Sequence, residues 1–129
     1  MATLADNIHL KRVYDEPSPD DGRRILITRY WPRGVHKSVV DEYNSRLAPS
    51  RELINEYKKA DLSWDEFGRR YREELNNPES QAGLRRLAQA AHDRVITLLC
   101  FCPDEWNCHR KLLREAIIDA DAGRNDFVE

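Results

Sequence analysis

Residues 95–102 read Val-Ile-Thr-Leu-Leu-Cys-Phe-Cys, the most apolar stretch of the chain. The run is far short of the ~20 residues that span a bilayer. Its β-branched opening and near-continuous apolar character mark a strand covered on both faces, as in the centre of a parallel sheet. Parallel neighbours cannot be joined by a tight turn. Each needs a crossover, usually a helix. One strand of this kind commits the chain to an α/β fold.

The remaining sequence supplies the partners. Residues 8–14 carry Ile8, Leu10 and Val13 among polar neighbours and predict a first strand. Residues 16–22 are dense in turn formers and predict a loop. Residues 24–30, with Ile25, Leu26 and Ile27, predict a second buried strand. Trp31, Pro32 and Gly34 end it. Residues 35–48 fit neither the helical nor the strand period. Pro49 and Ser50 then open a short helix bearing Leu53, Ile54 and Tyr57. Ser63 caps a second, with Glu66 placed to complete a capping box. Trp64, Phe67, Tyr71 and Leu75 form its apolar stripe. Asn77 and Pro78 start a third helix, whose face is Leu84, Leu87, Ala88 and Ala91. Asn107 caps a last helix with Leu112, Leu113, Ala116, Ile117 and Ala120, and Gly123 stops it. The expected architecture is α/β: a small, mostly parallel sheet with helices packed on its faces. It forms a single domain over residues 1–129, with 1–7 and 124–129 loose. Ligands in such folds sit beyond the carboxyl ends of the strands, here after Tyr14, Ile27 and Leu99.

Charge narrows the function classes. The 21 basic and 23 acidic residues leave a net charge of −2, so no global field favours nucleic acid. A local basic patch remains open. The first seven residues lack the blocks of a signal peptide. Cys100, Cys102 and Cys108 fall within nine positions, an odd and clustered set that makes a poor disulfide framework. A reducing cytoplasm and no membrane association are expected.

The chemistry-bearing residues gather after the apolar strand. Cys108, His109 and Arg110 fall in the first turn of the last helix, where unpaired amides and the helix dipole attract anions. The same field lowers the pKa of a thiol. Arg110 can grip a phosphate or carboxylate with two hydrogen bonds, and a cation at this end is unfavourable unless it meets an anion. Ordinary roles compete. Cys100 reads as a core cysteine, Cys102 sits undecided at the strand mouth, Cys108 can pack beneath the helix, and His109 can be a surface histidine. Three thiols and an imidazole suffice for tetrahedral zinc. Against that, Cys100 and Cys102 on one strand stand about 7 Å apart. A disulfide between Cys102 and Cys108 is within reach, although no Cys-x-x-Cys is present. A second group comprises Lys11, Arg12 and Tyr14 after the first strand, and Arg29, Tyr30, Trp31 and Arg33 after the second. Arginine with aromatic rings suits a phosphate carrying a ring. The alternative is exposed strand charges beside rings that close the core. Arg69, Arg70 and Arg72, with Glu73 and Glu74 alongside, read as a solvated face.

Several segments together resemble a known family. They are Leu10 to Asp15, Pro17 to Gly22, Arg29-Tyr30-Trp31-Pro32-Arg33-Gly34, Leu47-Ala48-Pro49-Ser50, Phe67-Gly68-Arg69-Arg70-Tyr71 and Thr97-Leu98-Leu99. In this order they resemble domain of unknown function 488, and in particular its YeaO-like branch, over about residues 8–118. The resemblance implies a compact cytoplasmic α/β domain and names no reaction. Cys108-His109-Arg110 matches a Cys-His-Arg element of the wider family that many YeaO-like members lack. This chain therefore looks like a thiol-bearing variant. Some members are labelled transcription regulators, but no helix-turn-helix pattern is present here.

The leading expectation is a phosphate-type ligand, free or within nucleic acid, held by Lys11, Arg12, Tyr14, Arg29, Trp31, Arg33, Cys102, His109 and Arg110. Cys108 is the candidate nucleophile, with His109, Asp104 or Glu105 moving protons. No cofactor is implied, and whether the protein is an enzyme stays open. The alternatives are a non-catalytic nucleic-acid or partner-binding module and a Cys/His metal protein. If the thiol is activated, alkylation of Cys108 against pH has its midpoint well below ~8.5; a midpoint at that ordinary value removes the nucleophile.

Overall fold

The computed structural model describes residues 3–59, 62–100 and 109–122. Four strands, β1 (Ile8–Arg12), β2 (Arg23–Leu26), β3 (Glu42–Tyr43) and β4 (Ile96–Cys100), combine with four helices. These are α1 (Arg51–Lys58), α2 (Trp64–Leu75), α3 (Pro78–Asp93) and α4 (His109–Asp121). The sheet order is β1-β4-β2-β3 and every pairing is parallel. Leu98 lies opposite Leu10 on one side and Ile25 on the other. No helix among the described residues is long and apolar enough to cross a membrane.

All five residues of β4 are buried, as its composition demands. Alternation sends Ile96 and Leu98 into one cluster with Ile8, Ile25 and Ile27. All four helices feed that cluster: Leu53 from α1, Phe67, Tyr71 and Leu75 from α2, Leu84 and Leu87 from α3, Leu113 and Ile117 from α4. Leu99 points the other way, against Leu26 and Val13, beneath Val35 and Val40. The helices thus share one face, and residues of the connecting segments close over the other.

The first two expected strands are longer than β1 and β2, which lose their carboxyl ends to loops; the end of the third, after Cys100, lies outside the described residues. Yet backbone pairing runs one residue further, from Val13 N to Cys100 O at 2.7 Å and from Ile27 N to Leu99 O at 2.9 Å. Within 35–48 the structure has a short 3-10 turn and the two-residue β3, too short to show a period. Ser50, Ser63 and Asn77 cap their helices through their side chains. The box at Ser63 is half formed: the hydroxyl accepts from Glu66 N at 3.1 Å, whereas the Glu66 carboxylate pairs with Arg69. The expected roles of Asn107 and Gly123 lie outside the described residues.

A buried carboxylate fastens three strands on the second face. Asp21 is 3% exposed. Its carboxylate accepts from Lys11 Nζ at 3.0 Å and from Arg24 Nη1 at 2.5 Å, joining β1 and β2. The Thr97 hydroxyl of β4 donates to the Asp21 carbonyl at 2.6 Å. The next residue must be glycine: Gly22 has φ +61°, and a Cβ there would lie 2.1 Å from the Val95 carbonyl oxygen. Burial pushes the Asp21 carboxyl up. The Ser18 amide and the Lys11 and Arg24 donors outweigh it and hold the group below its ordinary 3.8. A carboxyl depressed in the folded state stabilises above its unfolded pKa and loses that contribution as pH falls through its folded pKa. Asp21→Asn, which strands the buried Arg24 and the partly buried Lys11, is expected to cost about 3–5 kcal/mol in urea unfolding at neutral pH. The gap between wild type and variant narrows below pH ~4; a gap independent of pH contradicts the assignment.

Candidate anion site

The opening of α4 is positioned from two sides. His109 Nε2 lies 2.7 Å from the Ile27 carbonyl, just beyond β2. A carbonyl only accepts, so Nε2 carries the proton. The Tyr71 ring meets the imidazole edge-on at 6.1 Å. One turn further along, Arg114 donates to the carbonyls of Ile8 at 2.9 Å and Ala5 at 2.7 Å. The helix therefore descends from the carboxyl end of β2 towards the start of β1, passing over β4. Its first turn contains no acidic residue, unlike those of α1, α2 and α3.

Arg110 is the unusual member of that turn. It is 2% exposed, the largest fully buried side chain, and Nε and Nη1 have no hydrogen-bond partner among the described residues. An uncompensated buried guanidinium costs several kcal/mol. Arg110 precedes Arg114 by four residues, so both stand on the stripe that faces β1. There Arg12 leaves β1 on the side of Ile8 and Leu10, which pack into the helical cluster. The Arg12 Nε is also buried without a partner among the described residues. Two guanidiniums with unmatched donors thus occupy one end of one sheet face. Arg24 Nη2 and Gln81 Oε1 are unmatched too, but Arg24 has Asp21 as counter-ion and Gln81 is neutral.

Other residues expected at the site are held by the scaffold. Lys11 is tied to Asp21 and the Glu16 carbonyl. Arg29 donates to the carbonyls of Pro49 at 3.2 Å and Ala48 at 2.8 Å, and the Tyr71 hydroxyl takes the Leu47 carbonyl at 2.5 Å. Ser50 N donates to Glu74. The Leu47-Ala48-Pro49 stretch thus accepts from both Arg29 and Tyr71. Arg29 also lines an open groove of about 610 Å³ with Asn44, Ser50 and Glu74, in which Arg46 and Arg86 pair with Glu79 and Glu42. Tyr14 and Trp31 stand exposed, and the Tyr14 hydroxyl bonds the carbonyl of the exposed Arg33 at 2.9 Å. Cys100 is fully buried in β4. Cys102, Asp104, Glu105 and Cys108 lie outside the described residues, and so do the metal and disulfide readings that need them. Arg69, Arg70 and Arg72 all form ion pairs, with Glu66 and Glu73, Glu56, and Asp119 respectively. The anchors Asp21 and Ile27 carried no sequence signal, because a turn aspartate and a backbone carbonyl look alike whatever they bind.

Fold and site together define the class: a small parallel α/β domain with a basic, acid-free helix opening at the carboxyl ends of its strands. The family described as the active DUF488-N3 subclade matches residues 8–121, and the chain belongs to that family. The uncharacterised protein YeaO of Escherichia coli (strain K12) is 34% identical over 111 residues, covering 84% of this chain and 95% of YeaO. The uncharacterised protein Rv3073c of Mycobacterium tuberculosis (strain H37Rv) is 40% identical over 82 residues, covering 62% of this chain and 70% of the relative. No solved structure matches. The resemblance read from the motif residues is borne out.

Proposed function

We propose that this protein binds a small phosphate-type anion where β1 and β4 end and α4 opens, with Arg110 and Arg12 as its grip. The observation that carries this is the burial of Arg110 with two donor atoms unmatched. A tetrahedral anion offers several acceptors and a full negative charge, and so relieves both deficits at once. The helix opening adds a favourable field.

Thiol chemistry is the finer part of the same proposal. Cys108 immediately precedes the first residue of α4 in the sequence. His109 keeps Nε2–H on the Ile27 carbonyl, so Nδ1 is the nitrogen that exchanges a proton with a neighbour. Cys108 is then the nucleophile and His109 its proton carrier. A non-catalytic nucleic-acid surface has less support, because the arginines that would extend it are paired with carboxylates.

Urea unfolding with and without inorganic phosphate, at matched ionic strength, tests the anion site. Wild type is expected to gain about 1.4 kcal/mol for each tenfold rise in phosphate above the dissociation constant. Arg110→Met loses that response. In phosphate-free buffer it is as stable as wild type or up to about 4 kcal/mol more stable, since it removes an uncompensated charge. Equal stabilisation of both proteins by phosphate, or of neither, overturns the proposal.

A further inference from the structure

Among the described residues, the exposed large apolar side chains are Tyr14, Tyr30, Trp31 and Tyr43. All are aromatic. All stand at or just after the carboxyl end of a strand: Tyr14 beyond β1, Tyr30 and Trp31 beyond β2, and Tyr43 closing β3. Scattered single exposures need no explanation, but a cluster at one end of a sheet marks a binding surface.

The rings are held in place. The Tyr14 hydroxyl donates to the Arg33 carbonyl at 2.9 Å. Trp31 Nε1 donates to the Val35 carbonyl at 2.8 Å, and its ring meets Tyr43 edge-on at 5.3 Å. Tyr30 is tied to Arg51 twice, with the guanidinium 5.6 Å over its ring and Nε donating to its hydroxyl at 2.5 Å. Tyr14, 50% exposed, and Trp31, 39% exposed, are fixed platforms. Rigid rings cost little entropy when a ligand docks.

Tyr14 also adjoins the anion site. The Arg12 guanidinium lies over one face of the half-exposed Tyr14 ring, 5.8 Å from its centroid, and Arg12 carries one of the unmatched buried donors. From these contacts we infer that the ligand is a single nucleotide, its phosphate at Arg12 and Arg110 and its base stacked against Tyr14 and Trp31. This inference rests on the anion reading above and adds the class of ligand. A lone phosphate leaves the rings unused. A long strand needs a track of unpaired cations, whereas Arg69, Arg70, Arg72 and Arg86 are all in ion pairs.

Calorimetric titration of the full chain separates the cases. The probes are inorganic phosphate, ribose phosphate, adenosine monophosphate, cytidine monophosphate and a short oligothymidylate. The two nucleotides are expected to bind about tenfold to a hundredfold more tightly than phosphate or ribose phosphate, the usual gain from stacking one base. In Tyr14→Leu and Trp31→Leu that ratio falls towards about one; both positions are exposed, so neither change opens the core. Nucleotides that bind no more tightly than phosphate overturn this inference and leave the anion site standing. Failure of every probe to bind overturns both. An oligonucleotide that binds more tightly than the mononucleotides, with a steep salt dependence, replaces the single nucleotide with a strand.

Discussion

A guanidinium buried without a counter-charge among the described residues is the constraint on which the site depends. Arg110 sits in the first turn of α4, where the helix field already opposes a cation, and it is closed off from water. Hydrophobic packing around Leu113, Ala116 and Ile117 presses the helix onto the core and carries Arg110 inside with it. The His109 bond to Ile27 and the Arg114 bonds to Ile8 and Ala5 fix the helix at both ends of that turn. The fold therefore forces the charge into place, and the proposed anion would compensate it.

The two faces of the sheet treat buried charge differently. On the loop-covered face, Lys11 and Arg24 share the Asp21 carboxylate, so both cations have a counter-ion, and one Arg24 donor is left unmatched. Breaking such a set is costly. On the helix-covered face, Arg12 and Arg110 both carry buried donors, and those unmatched donors have no carboxylate partner among the described residues. Strand alternation separates the two systems: Lys11 and Arg12 are neighbours in sequence and point to opposite faces.

Much of this was legible before the structure. Unbroken apolar character betrays a doubly covered strand, and β4 is one. Side-chain caps and apolar stripes placed α1, α2 and α3, and the apolar stripe placed α4, because both signals are local. β3 escaped, since two residues show no period. Arg110 stood out as a cation at the wrong end of a helix, which is a local misfit. The roles of Lys11 and Arg29 were harder to read. Lys11 meets a carboxylate ten positions away, and Arg29 meets carbonyls nineteen and twenty positions away. Such contacts leave no mark in composition or spacing, so a lysine at a strand end and an arginine in a Trp-Pro-Arg-Gly turn read as available donors. The sequence also showed helices on both sides of the sheet as readily as on one, because crossover handedness and helix length decide that, and neither shows in a hydrophobic pattern.

The central claim concerns one side chain, and its Nε–H proton reports on it directly. In nitrogen-resolved NMR of the full chain, the Arg110 Nε–H signal is assigned by its absence in Arg110→Met. On titration with inorganic phosphate at constant ionic strength, the account predicts a saturable downfield shift and slowed exchange with water, as the donor gains a charged acceptor. A signal that neither moves nor gains protection while phosphate rises would contradict it.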